Sequence, residues 1–483
     1  MEISLKKIIF VQDISNAKLM EFKKLIDRGA ELERMNEALH REDTQFIVIY
    51  GRRRIGKSEL IKRIVKARHK AIYFLSDTSS ETVQRVAFSK VAASVIDGFD
   101  KVIYPDWETL FRSFNNQLSE RMLVCLDEFP YLVKSCDVLP SIIQKLLNEK
   151  ILKFDLVLCG SSQQLMHGYV LNRQSPLYGL ANEIMKMQPI PAQYMSMAME
   201  CDAVQAVEEY AIWGGVPRYW ELRRDYPDKE TAIRKVLLDP QGPLIEEPQR
   251  LLRDDMRDTM QASTLLTIIG NGANKLSEIA TRAGKDGSTI SEPLSKLRDL
   301  GYVSREVPFG ESPKKSKKGI YHINDSLLRF HYQFIVPYRS ILELGRMDMV
   351  MQVVLAQLPQ FIGQCWELLC REYVSGNIID GIAYNVASRW WGKIFPPEYK
   401  DGKVVELDVV AESIDKKHIL VGECKWTHDE DADRLMNVLE QKAKYLPFIK
   451  KGQEIHLVLF LKESPTHCAK DMRVFLPSDV MKV

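Results

Sequence analysis

The sequence predicts an α/β protein: a parallel sheet covered by helices on both faces, then a helix-rich middle, then an α+β region. Three observations predict it. Between Phe46 and about Ile190, short apolar runs alternate with amphipathic helical stretches, as strands joined by crossover helices do. The first of these runs leads into a loop bracketed by Gly51 and Gly56 that opens a helix. Beyond residue 361 this rhythm is replaced by two strand-like stretches, VVELDVVA and HILVGECK, around a polar turn.

Taken in order, a helix is expected over Leu19–His40, which contains the stretch IDRGAELERM. The strand candidates are 46–50 (FIVIY), 71–75 (AIYFL), 122–126 (MLVCL) and 154–159 (FDLVLC), short and almost wholly apolar, as strands buried on both faces are. Residues 200–255 read as mostly helical. Three short helices follow, at Leu265–Ile269, Lys275–Ala283 and Ser288–Leu300, the last with Ile290, Leu294 and Leu297 on one face. Tyr302–Val307 and Gly319–Ile323 form a hairpin whose tip is Pro313–Lys318, and a helical connector at 326–360 leads to the last region.

At about 100–200 residues per domain, 483 residues suggest two to four domains. Hydrophobic residues at 45% and charged residues at 27% exclude a disordered chain or a coiled-coil rod. Lys+Arg 67 against Asp+Glu 65 excludes a wholesale nucleic-acid coat but leaves room for local basic patches. The eight cysteines form no CxxC pair, and several lie in apolar runs, which indicates reduced, buried thiols. No apolar run reaches the roughly 20 residues that span a bilayer. Met1–Val11 holds only a four-residue apolar stretch after Lys6 and Lys7, too short for a secretory core. A cytoplasmic protein without a membrane partner is expected.

The strongest motif is Gly51-Arg52-Arg53-Arg54-Ile55-Gly56-Lys57-Ser58, followed by Glu59. It fits GxxxxGK[ST], between a strand and a helix. Such a loop turns backbone N–H groups toward the phosphates of ATP, Lys57 adds positive charge, and the Ser58 hydroxyl is a ligand for Mg²⁺. The strand 122–126 ends in Asp127-Glu128. Asp127 is placed to hold the Mg²⁺, and Glu128 to polarise the attacking water as general base. The strand 154–159 ends in Gly160-Ser161-Ser162, which either senses the γ-phosphate or simply turns the chain.

The stretches YGRRRIGKSEL, CLDEF, LCGSS, SPLYG and IWGGVPRYW, in this order, resemble the archaeal-type ATPases of the AAA-related STAND class, from about Ile26 to about Tyr445. The resemblance implies a P-loop NTPase core (19–195), a helical lid (196–257) carrying Gly214-Gly215-Val216-Pro217, a winged helix (258–335), a helical connector (336–360) and a restriction-endonuclease-like α+β domain of the DUF234 type (361–483). It also implies a slow nucleotide switch more than a motor. The family often has a basic pair after SPLYG; here the chain reads Leu180-Ala181-Asn182, so a catalytic arginine would have to come from elsewhere, such as Arg173 or Arg218.

The three helices and hairpin read as a helix-turn-helix unit with a lysine-rich wing, which would attract DNA phosphates without sequence preference. Lys285, Ser288, Thr289 and Lys296 lie on the recognition face beside Asp286, Glu292 and Asp299, so an intramolecular interaction role stays open. In the last region, the alternation of a strand puts Glu423 and Lys425 on one face. A hairpin of usual parity brings Asp408 beside or diagonal to Glu423, with Leu407, Val409 and Ala411 buried opposite. Two carboxylates that bind Mg²⁺ and an ammonium that stabilises phosphate charge suit phosphodiester hydrolysis. The trio resembles the PD-(D/E)xK nuclease core, which implies a further metal ligand at Glu367 and likens Gln441-Lys-Ala-Lys-Tyr445 to the QxxxY helix of RecB-type nucleases. Trp390, Trp391 and Trp426 are expected in the core. Two functions follow: an ATPase coupled to DNA binding and Mg²⁺-dependent cleavage, or a regulatory ATPase that binds DNA or protein without cutting. The oligomeric state stays open.

Overall fold

The computed structural model describes residues 27–482 apart from 257, 466 and 468–471. Met1–Val11, the first part of the expected opening helix and Cys468 lie outside the described residues. The chain divides into two compact units, one reaching to Ile190 and taking in Val216–Arg218, the other made of Pro191–Gly215 and everything from Tyr219 onward.

The first unit begins with helix α1 (Gly29–Leu39) and strand β1 (Phe46–Tyr50). Helix α2 (Lys57–Lys66) and strands β2 (Ala71–Leu75), β3 (Met122–Asp127), β4 (Phe154–Gly160) and β5 (Glu183–Lys186) follow. The sheet order is β2-β3-β4-β1-β5, with every pair parallel. The three inner strands are the most deeply buried: β3 and β4 are buried at every position and β1 at all but Tyr50. The outer strands β2 and β5 carry exposed positions. Only β5 was not anticipated. Its EIMK sequence is short and polar, and Asn182 beside it ties the edge on by accepting the Phe46 N–H through Oδ1 at 2.8 Å.

One face of this sheet is filled with aromatic rings. Phe88 sits at their centre, with ring centroids 5.5 Å from Phe74, 5.8 Å from Trp107, 5.6 Å from Phe111 and 6.0 Å from Phe114. Edge-on packing of this kind adds to plain area burial.

In the second unit, helices α3 (Thr259–Gly270), α4 (Leu276–Arg282) and α5 (Gly287–Asp299) enclose a core with Leu266, Ile279, Ile290, Leu294 and Leu297. Helix α3 starts six residues before the expected Leu265, because Asp258 caps it by accepting the Gln261 N–H at 2.8 Å. Strands β6 (Val303–Glu306) and β7 (Ile320–Ile323) pair antiparallel, forming the expected hairpin. Helix α6 (Met347–Val374) is 28 residues long and runs straight across positions 360 and 361, where connector and last region were expected to divide. Its buried stripe (Val354, Leu358, Phe361, Cys365, Leu369) continues on both sides of Pro359.

Two short strands, β8 (Ile378–Ile379) and β9 (Ile382–Ala383), precede a five-stranded sheet. It is built from β10 (Ser388–Ile394), β11 (Lys403–Glu412), β12 (His418–Lys425), β13 (Glu454–Leu461) and β14 (Arg473–Phe475), adjacent in that order. The first two pairings are antiparallel and the last two parallel. Helix α7 (Ala432–Ala443) makes the crossover that β12 and β13 require. Trp390 and Trp426 are buried and Trp391 half-buried. Among the described residues, no helix is long and apolar enough to cross a membrane.

Replacing Phe88 by alanine removes the ring at the centre of the aromatic cluster. The expected loss is about 3–5 kcal/mol in urea unfolding; a loss below about 1 kcal/mol would show that the cluster closes over the gap.

Candidate functional sites

Parallel pairing brings the carboxyl ends of β1, β3 and β4 to one edge of the first sheet, and β4 separates β1 from β3. The loop after β1 is shaped by its glycines. Gly51 has φ +148°, and a Cβ there would stand 2.6 Å from the carbonyl oxygen of Met187. Gly56 caps α2 at φ +96°, with open space where a side chain would be. Lys57 is buried, and its Nζ donates to the carbonyls of Gly51 at 3.0 Å and Arg52 at 2.8 Å, which holds the ammonium inside the loop. Arg28 is a residue the sequence reading passed over. Buried beneath the loop, it donates to the carbonyls of Ile55 at 3.0 Å and Gln188 at 2.8 Å. Ile55 and Arg52 are buried, Arg54 half-buried and Arg53 exposed. Glu59 faces outward and pairs with Arg63 at 3.2 Å.

Asp127 is fully buried and accepts a 2.6 Å hydrogen bond from the Tyr73 hydroxyl. Burial first, then that carboxylate, pushes the Tyr73 phenol far up, so it stays a donor. Ser76 on the same side donates through its N–H to the Asp127 carbonyl at 3.0 Å. Glu128 has φ +54°, a left-handed conformation that costs a non-glycine residue about 1 kcal/mol or more. Its carboxylate accepts from Ser161 twice, from Oγ at 2.5 Å and from the N–H at 3.3 Å. Ser161 is thus a partner of Glu128 and more than a turn residue. Arg173 and Arg218 are both exposed. The cradle, the enclosed ammonium and the adjoining acidic pair form a donor set suited to a nucleotide phosphate.

In the second unit, Val409 opposes Gly422 across the β11–β12 pair, and one step further along this register Asp408 opposes Glu423. Leu407, Val409 and Ala411 are fully buried. Asp408 accepts the Cys424 N–H at 2.8 Å. Glu423 accepts from Lys425 at 2.9 Å on one oxygen and from Lys442 at 2.8 Å on the other. Lys442 lies within the predicted Gln441–Tyr445 stretch, yet its role there was not foreseen. Glu367 comes in from α6, with Arg371 at 3.8 Å and Arg389 at 3.9 Å from its carboxylate.

These groups titrate in opposite directions. Burial raises the Asp408 carboxyl and the charge on Glu423 adds to it, against the Cys424 N–H, Lys425 and Arg389. Burial and then the charge on Asp408 push Glu367 up to about 7, against Arg389 and Arg371. Burial would raise Glu423 also, but Lys425 and Lys442 outweigh it and hold its carboxyl below the usual range. The hairpin of β6 and β7 joins the cluster. Glu306 stands 3.5 Å from Arg371 and 3.9 Å from Arg389, and Phe309 donates its N–H to the Arg389 carbonyl at 2.8 Å. At the hairpin tip, Lys318 is tied to Glu311 at 2.6 Å, and Arg305 donates to the carbonyls of Pro313 and Ser316, so the tip is more structured than a free wing.

Ser161→Ala removes the hydroxyl bond to Glu128 and leaves only the longer one from the backbone N–H. ATP hydrolysis is expected to fall about tenfold or more with nucleotide affinity nearly unchanged, while Lys57→Ala abolishes affinity itself; equal loss of affinity in both variants would contradict this. Glu367 gives a pH prediction. The folded chain keeps a proton on it that the unfolded chain, titrating near 4.5, has released, so stability falls as pH rises from about 4.5 through about 7. In metal-free buffer, Glu367→Gln should flatten that fall in urea-unfolding midpoints; an unchanged slope would refute the assignment.

Residues 25–220 match a family described as an ATPase domain predominantly from Archaea. Residues 331–444 match a family of archaeal and bacterial proteins of unknown function. An uncharacterised protein of Methanocaldococcus jannaschii is 30% identical over 431 residues, which is 87% of this chain and 92% of that protein. Among solved structures, the Aeropyrum pernix ORC1 protein in complex with DNA is similar at 17% identity and TM-score 0.35, over 66% of this chain and 94% of that one. A variant of Thermotoga maritima RuvB is similar at 18% identity and TM-score 0.32, over 62% of this chain and 93% of that one. With a phosphate-loop sheet at its front and an α+β domain with a mixed sheet at its end, the chain belongs to the family of archaeal-type P-loop ATPases that carry this carboxyl-terminal domain.

Proposed function

We propose that this ATPase is a nucleotide-driven switch whose three-helix and hairpin unit, a winged helix, binds DNA, and whose Asp408, Glu423 and Lys425 cleave it. The observation that carries the reading is the gathering of Glu367, Asp408 and Glu423 from one helix and two strands, close enough that Asp408 raises Glu367 and Glu423 raises Asp408. Carboxylates crowded in this way are relieved by a divalent cation. Mg²⁺ at these three residues would supply an acidified water and a Lewis acid for phosphodiester hydrolysis. Lys425, whose pKa is raised because Glu423 outweighs its burial, stays charged and is the group that would stabilise the phosphate.

At the nucleotide site, the loop Gly51–Ser58 holds the phosphates, Ser58 and Asp127 would hold Mg²⁺, and Glu128, set by Ser161, orients the water. Arg173 or Arg218, both exposed, is the candidate cation for the γ-phosphate. Lys314, Lys315 and Lys317 are exposed on the hairpin tip and suit salt-sensitive attraction to DNA phosphates. Glu306 supports a coupling between binding and cutting. A hairpin that shifts on DNA takes Glu306 away from Arg371 and Arg389 and leaves both guanidiniums for the substrate backbone.

The second reading, a regulatory ATPase that binds DNA or protein without cutting, is favoured by one fact: both oxygens of Glu423 are already engaged by lysines. Plasmid DNA incubated with ATP and Mg²⁺ separates the two. Wild type is expected to nick, Lys425→Ala to bind without nicking, and Lys57→Ala to lose the ATP dependence. DNA retained but uncut by wild type, with ATP hydrolysis intact, would establish the second reading instead.

A further inference from the structure

We infer a separate transition-metal site on the carboxyl-terminal sheet, where His418, Glu454 and His456 hold an ion of the Zn²⁺ class. It lies at the opposite end of β12 from Glu423 and Lys425. His418 opens that strand and Lys425 closes it, about 20 Å away at about 3.3 Å per residue.

The strand register assembles the trio. β12 and β13 run parallel, and His418 opposes Glu454. His456 follows Glu454 by two positions in β13, so the two side chains leave the sheet on the same face. Backbone hydrogen bonding thereby sets three donors side by side on two paired strands, a firmer support than a loop provides.

The donor atoms form a compact triangle. His418 Nδ1 stands 3.0 Å from His456 Nε2 and 3.4 Å from Glu454 Oε2, and His456 Nε2 stands 3.9 Å from the same Glu454 oxygen. Around a tetrahedral zinc ion with bonds of about 2.0–2.1 Å, neighbouring donors lie about 3.3–3.4 Å apart. The three edges bracket that value, so an ion placed over the triangle needs only small side-chain adjustments. Among the described residues, this is the group of three or more His, Cys, Asp or Glu whose donor atoms all lie within 4.8 Å of one another. The carboxylates at Asp408 do not meet that condition.

Chemistry selects the ion. Two imidazole nitrogens and one carboxylate suit Zn²⁺ and its late first-row neighbours, whereas Mg²⁺ and Ca²⁺ take oxygen donors. Two histidines and a glutamate leave one tetrahedral position for water or an incoming ligand. The site is reachable from solvent, since His418 is 23%, His456 30% and Glu454 67% exposed. Behind His418, the Asp415 carboxylate lies 4.0 Å from Nε2, and it is fixed by the Ser413 hydroxyl at 2.5 Å and the Lys417 N–H at 3.1 Å. Its negative charge favours a cation at the site.

The competing account is a plain His418–His456 hydrogen bond with Glu454 nearby, and metal titration of the tag-free, full-length, chelator-treated protein decides between them. Wild type is expected to bind one more equivalent of Co²⁺, displaceable by Zn²⁺, than His418→Ala or His456→Gln. The bound Co²⁺ should show visible d–d bands without thiolate charge transfer, and Zn²⁺ should raise the wild-type melting temperature. Binding should weaken in acid, because the ligands must be unprotonated. Glu454→Gln should weaken binding without abolishing it. ATP hydrolysis by the variants reports that they are folded. Equal metal stoichiometry and affinity in wild type and both histidine variants would overturn the site, as would a cobalt spectrum dominated by thiolate bands.

Discussion

A carboxylate taken out of water must be paired, hydrogen-bonded or protonated, and this constraint organises both units of the chain. Asp127 is fully buried and finds the Tyr73 hydroxyl. Glu128 adopts a left-handed backbone and finds Ser161. Asp408 takes a backbone N–H, Glu423 takes two lysines, and Glu367 meets the demand by keeping its proton near neutrality. Asp127 and Glu128 stand at the end of β3 and take their partners from β2 and from the end of β4, while Glu423 near the end of β12 takes one lysine from its own strand and one from α7. The fold is therefore tied together at the places where its chemistry would occur.

Strand order explains how such partners meet. With β4 between β1 and β3, a side chain leaving the end of β4 is next to one leaving β3, and the loop after β1 lies on the other flank. Ser161 and Glu128 are 33 positions apart in the chain yet are joined by two hydrogen bonds at that edge. In the last sheet the antiparallel β11–β12 pair does the same for Asp408 and Glu423, while the parallel β12–β13 pair sets His418 against Glu454.

Much of this was legible in the sequence because it is local. The inner strands are almost wholly apolar runs, the phosphate loop is one unbroken motif, and the Asp408, Glu423 and Lys425 pattern needs only strand alternation and one hairpin. What stayed hidden depends on distant pairing. β5 has no apolar signature and exists as an edge because β1 offers it hydrogen bonds and Asn182 fastens it. Tyr73 reads as one more aromatic in a strand until β2 is laid beside β3. Arg371, Arg389, Glu306 and Lys442 are ordinary charged residues in sequence, drawn from a helix, two strands and a crossover helix, and only the folded unit makes them neighbours of the acids. The extent of α6 was hidden for another reason: Pro359 looks like a boundary, but the buried stripe on both sides carries the helix through it.

The carboxyl-terminal cluster is balanced unequally, and that inequality bears on how it could work. Glu423 carries two ammonium partners and is held ionised, while Asp408 and Glu367 have two guanidiniums at longer range and are both pushed toward their neutral forms. Of those guanidiniums, Arg371 and Arg389 are also claimed by Glu306 on the β6–β7 hairpin. Withdrawing Glu306 would remove one of the charges that raise Glu367 and so lower the cost of ionising it. Docking of the hairpin would do the reverse. The position of one carboxylate on the β6–β7 hairpin thus bears on the protonation of Glu367, a coupling that needs no movement of Glu367 itself.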